Sequence, residues 1–146
     1  MKAKFTIPGP PQGKGRPKFA RRGNFVTTYT PEQTATYENL IKVEYERQCP
    51  NTRFEDGNAV WAYVLAFFPI PESASKKKKQ QMLDGEIMPT KKPDADNILK
   101  IIFDSLNGVA YKDDTQITDV VFSKRYSNNP RVKVELYTKD ELGKEI

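Results

Sequence analysis

Two short acidic motifs contain the side chains of this chain that are best suited to chemistry. Asp94 and Asp96 lie two positions apart directly after Pro93, and a second pair, Asp113 and Asp114, follows further along the chain. In extended chain, residues two positions apart project to one face, so Asp94 and Asp96 could share a cation. Carboxylates from two segments that meet at one point suit a hard divalent cation. The pattern indicates a candidate metal site formed by Asp94, Asp96 and the pair Asp113–Asp114.

The same residues also have ordinary structural interpretations. Aspartates in front of a helix usually cap it, and Asp96 precedes a segment with helical periodicity. Lys100 follows Asp96 by one helical turn, so the two side chains can form a surface ion pair. Alternatively, Lys100 can neutralise charge that develops on a phosphate. On spacing alone, the structural roles of cap and ion pair are favoured over a catalytic centre.

The composition excludes several kinds of site. The chain has 146 residues with no histidine and one cysteine, Cys49. A Ser-His-Asp triad, a histidine-based nuclease and most zinc sites are therefore impossible. Any bound metal must use oxygen ligands, and this predicts Mg²⁺ or Mn²⁺.

The positive charge is concentrated in three segments. The net charge is +5 and the isoelectric point is near 9.2, which favours a polyanionic partner such as DNA. The basic residues predicted to contact DNA phosphates are Lys14, Arg16, Lys18, Arg21, Arg22, Lys76, Lys77, Lys78, Lys79, Lys91 and Lys92. Phe19 and Phe25 are interleaved with the first group and could contact bases. Solvated surface loops remain the alternative for all three segments.

Hydrophobic periodicity predicts a single α+β domain over residues 1–146, with a charged tail from about residue 138. Helices are predicted from Pro31 to about Arg47, over the lysine run with Ser73 or Ser75 as its cap and Gly85 as its end, and over Ile98–Leu106 with Asp96 as its cap. Residues 9–24 are predicted to form a loop. The predicted strands are Lys2–Ile7, Phe25–Tyr29, Ala59–Phe68, Ile117–Tyr126 and Val132–Tyr137, the last two joined as an antiparallel hairpin.

No segment suggests export or a membrane. The chain has no run approaching the roughly 18 apolar residues that span a bilayer, and its opening lacks the features of a signal peptide. A single cysteine agrees with a reducing compartment. A cytoplasmic location is therefore expected, with no membrane partner.

Two motifs together resemble the RusA-type Holliday-junction resolvases. The segment from Lys91 to Asp119 contains KPD-x-DN-x-x-K, then D-x-LNG, then DD-x-Q, and the opening GPPQGKGRPKF resembles phage-type members. The resemblance implies a small mixed sheet of about four strands with two or three helices. It also implies a homodimer, in a bacterial or phage-infected cell, that uses Mg²⁺ or Mn²⁺ to resolve four-way DNA junctions by paired cuts during recombination and repair.

The resemblance assigns roles to particular residues. The essential acids would be Asp94, Asp96 and Asp114, the essential lysine would be Lys100, and Asp113 matches the second acidic pair. A non-catalytic accessory protein that binds branched DNA is the alternative. An RNA-binding module is disfavoured, because the aromatic motif of RNA-binding sheets is missing.

Overall fold

A four-stranded mixed sheet covered on one face by helices forms the body of the protein. The computed structural model describes residues 1–15, 18–29 and 31–141. Within this part of the chain the strands are β1 (Lys2–Pro8), β2 (Lys18–Arg22), β3 (Phe25–Tyr29), β4 (Val60–Pro69), β5 (Ile117–Ser127) and β6 (Arg131–Tyr137). The helices are α1 (Glu32–Gln48), α2 (Lys76–Leu83) and α3 (Ala95–Ser105), and a short 3₁₀ turn covers Asp114–Gln116.

The sheet confirms the α+β prediction but corrects one pairing. Its strand order is β1-β6-β4-β5, with β4 parallel to β5 and antiparallel to β6. The predicted β5–β6 hairpin is wrong, because β4 lies between these two strands. Every second residue of β4 is buried, whereas β5 has no buried residue. β4 therefore takes the interior position and β5 the edge. β5 and β6 do run in opposite directions, as predicted, but they are not neighbours.

The basic segment near the N-terminus was predicted to be a loop, but part of it forms a strand. β2 and β3 pair as an antiparallel ribbon in which Arg22 lies opposite Phe25. Gly23 has a φ of +61°, and glycine or asparagine at such positions suits a two-residue turn. Arg16 lies outside the described residues. The side chains of Lys18 and Arg22 are also outside the description, so their predicted DNA contacts stay predictions.

The core fixes the orientation of α3, the helix that follows the first acidic pair. Ile98, Ile101 and Ile102 are at most 1% exposed and pack beneath the sheet. Burying one such side chain contributes roughly 1.5–3 kcal/mol, so these three determine which face of α3 points outward. Within the described residues, no helix has both the length and the apolar character needed to cross a bilayer.

The predicted charged tail is described only in part. Thr138 donates its backbone N–H to the Met1 carbonyl at 3.0 Å, so this residue continues the edge of the sheet. Residues 142–146 lie outside the described part of the chain.

Candidate active site

The first acidic motif lies at the N-terminal end of α3, where Asp94 is the cap. Asp94 has extended backbone angles, φ −76° and ψ 165°, and its Oδ1 accepts the Asn97 N–H at 2.9 Å. The prediction that Asp96 caps this helix is therefore wrong. Asp96 is already inside the first helical turn, where its backbone angles preclude the cap geometry.

Asp96 and Lys100 share one exposed stripe of α3. Both side chains are exposed, and a spacing of four residues places them one above the other on the same helical face. Neither forms an ion pair within the described part of the chain. Within the described residues, Asp96 thus has neither of the structural roles predicted for it, helix cap or ion-pair partner.

The second acidic motif lies at the opposite end of α3. Asp114 donates its backbone N–H to Asn107 Oδ1 at 2.8 Å, which ties it to the residues that follow the helix. Its carboxyl group is half-buried. Burial first, and then contact with Asp113 and Asp104, raises the pKa of Asp114. The same three aspartates add to burial in raising the pKa of Tyr111, so carboxylates are crowded here.

Asp113 has a local structural role that distinguishes it from Asp114. Its side chain caps the 3₁₀ turn in a capping box with Gln116. Gln116 is 9% exposed, and its amide nitrogen donates to the carbonyls of Glu55 and Asn58 at 2.9 and 3.1 Å. The glutamine of the DD-x-Q motif thus fixes the turn, which leaves Asp114 as the acid of the pair that is better placed for chemistry.

Asp104 is a member of this region that the sequence analysis did not identify. It lies two turns after Asp96 on the same stripe of α3, since four-residue steps lead from Asp96 to Lys100 to Asp104. Its Oδ2 lies 3.0 Å from Lys14 Nζ, which is also 3.6 Å from Glu38. The D-x-LNG motif contained this residue, and the four-residue spacing was the signal that could have found it.

Lys14 therefore ties the N-terminal loop to the helices. Burial alone would lower the pKa of Lys14, but the hydrogen bond and charge of Asp104, together with Glu38, raise it above its usual value. A lysine held by two carboxylates has little freedom to neutralise a phosphate. Its predicted role in DNA binding stays a prediction, while its role as a tether follows from these contacts.

The candidate residues thus form two groups along one side of α3. Asp94, Asp96 and Lys100 belong to its first two turns, and Asp114 lies near Asp104 at its last. The Asp96 and Asp104 backbones are about 12 Å apart along the axis, given a rise of about 1.5 Å per residue. Among the residues the structure describes, no group of three or more acidic or other ligating side chains is close enough to hold a metal ion. The three-aspartate site stays a prediction.

A polar cavity opens beside Asp94. Its volume is about 780 Å³, and its walls come from the loop at Pro11–Lys14, from Gln33 on α1 and from the segment Lys92–Asn97. The loop is held close to α3 because Lys14 donates its backbone N–H to the Asn97 carbonyl at 3.1 Å. A Cβ on Gly13 would lie 2.9 Å from Asn97 Cβ and 3.0 Å from Pro93 Cβ, so only glycine permits this approach.

The remaining basic residues border the same region or lie on α2 or β2. Lys91 and Lys92 are exposed just before Asp94, and the Lys91 carbonyl accepts from Lys124 Nζ at 2.9 Å. Lys124 is thus a basic neighbour of the site that the sequence analysis missed. Lys76, Lys77 and Lys78 are exposed on α2, Lys79 is half-buried there, and Arg21 is exposed on β2.

Comparison with known proteins finds a family and a relative that match most of the chain. The family described as Endodeoxyribonuclease RusA matches residues 8–137. A protein of Bacillus subtilis (strain 168), named Uncharacterized protein YqaN, is 37% identical over 133 residues, covering 90% of this chain and 92% of that protein. The family match includes both acidic motifs, α3 and most of the N-terminal loop.

Proposed function

This chain belongs to the RusA family of endodeoxyribonucleases, and we propose that it is a divalent-metal-dependent enzyme that resolves four-way DNA junctions by paired phosphodiester cuts. The proposed metal-binding acids are Asp94, Asp96 and Asp114, and Lys100 acts on the scissile phosphate. The proposed cofactor is Mg²⁺ or Mn²⁺.

The exposed Asp96 carboxylate beside Lys100 is the observation that carries this proposal. A carboxylate that neither caps its helix nor pairs with the lysine one turn away contributes little to stability beyond its attraction to the positive end of the helix, which is worth about 0.3–1 kcal/mol for an acid in the first turn. Asp94 uses one oxygen as the cap, through Oδ1, so its other oxygen is free to bind a cation. Only oxygen donors are offered, and this donor set fits a hard divalent cation.

The residues of α3 would divide the chemistry between them. When bound, a divalent cation would lower the pKa of an attacking water and balance the charge that builds on the phosphate. Asp94 and Asp96 would hold the cation at the start of the helix. Lys100 would place a positive charge against the phosphoryl oxygens in the transition state. Asp114, whose raised pKa reflects crowding by other carboxylates, would gain from a cation that relieves this repulsion.

Metal dependence gives the direct test. A labelled four-way junction and a linear duplex of matched length should be incubated with the protein in Mg²⁺, Mn²⁺, Ca²⁺ or excess chelator. We expect the junction to be cut in Mg²⁺ and Mn²⁺. In Ca²⁺ we expect binding with little cutting, because the coordination of Ca²⁺ is more flexible and holds the reacting groups less firmly. Cutting that persists in chelator would exclude the metal mechanism. Binding without cutting in every metal would favour the alternative of an accessory protein.

Paired cuts predict a homodimer. A four-way junction has approximate two-fold symmetry, and one catalytic centre per chain supplies one cut, so two chains related by a two-fold axis match the substrate. Sedimentation should give a mass near twice the 16.7 kDa of the chain. Both strands of a supercoiled cruciform should be incised within one binding event. A monomer that still makes paired cuts within one binding event would contradict this prediction.

The lysine run of α2 and the pair Lys91–Lys92 serve, in this proposal, as non-specific contacts to the DNA backbone. Their exposure supports this role, since phosphate contacts position the protein without reading sequence.

A further inference from the structure

The cavity beside Asp94 is lined by uncharged amides as well as by charged side chains. Three carboxamide side chains, Gln12, Gln33 and Asn97, reach it from three separate elements. None of the three amide groups has a hydrogen-bond partner within the described part of the chain. Lys14 and Lys92 also line the cavity, but Lys14 is held by Asp104 and Glu38, so the three amides and Lys92 are the side chains available to donate hydrogen bonds to a ligand.

Carboxamides are suited to the edges of nucleobases. Each offers one acceptor and two donor hydrogens in a plane, and asparagine or glutamine can form two parallel hydrogen bonds with a base. Pro93, which is half-buried, adds an apolar surface to the same walls, against which a base plane can lie. The volume of about 780 Å³ falls within the range of about 300–1,000 Å³ that is usual for small-ligand sites.

The packing that forms the cavity is specific. The contacts of Gly13 with Pro93 and Asn97 leave no space for a side chain, and the Lys14 tether to Asp104 holds the loop from its other end. The Tyr37 hydroxyl is buried under the same loop, beside the Gln12 backbone. The loop is therefore held in place by contacts with both α1 and α3.

We propose that this cavity binds an unpaired nucleobase of the substrate strand, read by Gln12, Gln33 and Asn97, next to the phosphate that is cut. The inference rests on the proposed function, because Asp94 lies on the cavity wall and the base would be a neighbour of the scissile bond. The exposed Lys92 on the same rim contacts the phosphate of that nucleotide. A base inside a duplex uses its Watson–Crick edge for pairing. The cavity therefore selects bases at a branch point, which unstack at the lowest cost.

The first experiment detects the extruded base. Four-way junctions should carry 2-aminopurine at single positions around the crossover and be titrated with the full-length protein in CaCl₂. Fluorescence should rise severalfold at one position and stay near its free value at the others, because only the extruded base leaves its stacked neighbours. Saturated binding, followed by anisotropy, without a rise at any position would overturn the proposal.

The second experiment tests which side chains read the base. Gln12→Ala and Gln33→Ala should be compared with Gln80→Ala, a control on α2 whose amide donates to Asp84. On junctions that vary the base beside the cut, wild type should show a spread in kcat/KM of about tenfold or more between the best and worst base. This spread in kcat/KM should shrink to about twofold in Gln12→Ala and Gln33→Ala and should stay unchanged in the control.

The outcomes separate this inference from the function on which it rests. If wild-type protein cuts no junction in Mg²⁺, the proposed function itself is contradicted. Wild type that cuts, while Gln12→Ala and Gln33→Ala keep the full base preference, would remove only the base-reading cavity. Gln12→Glu, which keeps the size of the side chain and exchanges donors for acceptors, should alter the preferred base and so distinguishes readout from loss of loop structure.

Discussion

Replacing Asp94, Asp96 or Asp114 by asparagine should lower the cutting rate on the order of a thousandfold or more, because each change removes a carboxylate proposed to bind a divalent cation, which makes hydrolysis possible. Junction binding should stay equal or become tighter, since each change also removes a negative charge that repels phosphate. Cleavage under single-turnover conditions and binding in CaCl₂ should be measured on the same preparations.

The structure predicts that these three variants fold normally. Asparagine caps a helix about as well as aspartate, so Asp94→Asn keeps the bond from the Asn97 N–H. Asp96 is exposed and unpaired within the described residues, and Asp114→Asn relieves the crowding that raises its pKa. Asp56→Asn, at an exposed surface residue 3.9 Å from Arg53, is the matched control and should cut normally. Near-normal turnover in any of the three would exclude that residue from the site.

Gly13→Val should reduce kcat/KM by about 10- to 100-fold with a modest loss of stability. The new Cβ would lie 2.9 Å from Asn97 Cβ and 3.0 Å from Pro93 Cβ, so the loop must move away from α3. Overpacking of this kind usually costs about 1–3 kcal/mol, and displacement of groups that bind substrate by about 1 Å can reduce rates by about a hundredfold. Kinetics and urea unfolding should be measured together.

A graded comparison identifies the cause of that loss. Gly13→Ala places the same Cβ but no branches, so its effect should lie between wild type and valine. Ser73→Val adds a branched side chain at an exposed position before α2 and should change neither property. Full activity in Gly13→Val would mean that the approach of the loop to α3 is not needed for cutting.

The sequence predicted the secondary structure better than the pairing of strands. Periodicity located α1, α3 and β4 because each buries one regular stripe or alternate residues. The β5–β6 hairpin was predicted because a short connection between two opposed strands usually joins neighbours, and this prediction was wrong. Nothing local reveals that β4, more than 50 residues earlier, inserts between them. β2 was missed because its charged residues gave no alternating pattern.

The candidate site shows a similar limit. The acidic motifs could be located by residue type and spacing, and the choice of Asp96 as cap failed by two residues, as helix boundaries often do. Asp104 and the Lys14 tether could not be found in this way, since that ion pair joins residues 90 positions apart. The cavity depends on the approach of a glycine to α3, which only tertiary packing defines.

The position of β6 between β1 and β4 also constrains how the protein folds. β1 pairs only with β6 in the sheet, so that Lys2 meets Tyr137 and Pro8 meets Arg131. Contacts between such distant parts of a chain close slowly, because the entropy of a long loop is lost before the contact stabilises anything. During synthesis β1 must wait until Arg131–Tyr137 has been made, and the loop that follows it cannot settle against α3 until β6 is in place. A ribosome-bound chain that ends before β6 should therefore lack an assembled cutting site, which would protect the cell's DNA from incomplete copies of a nuclease.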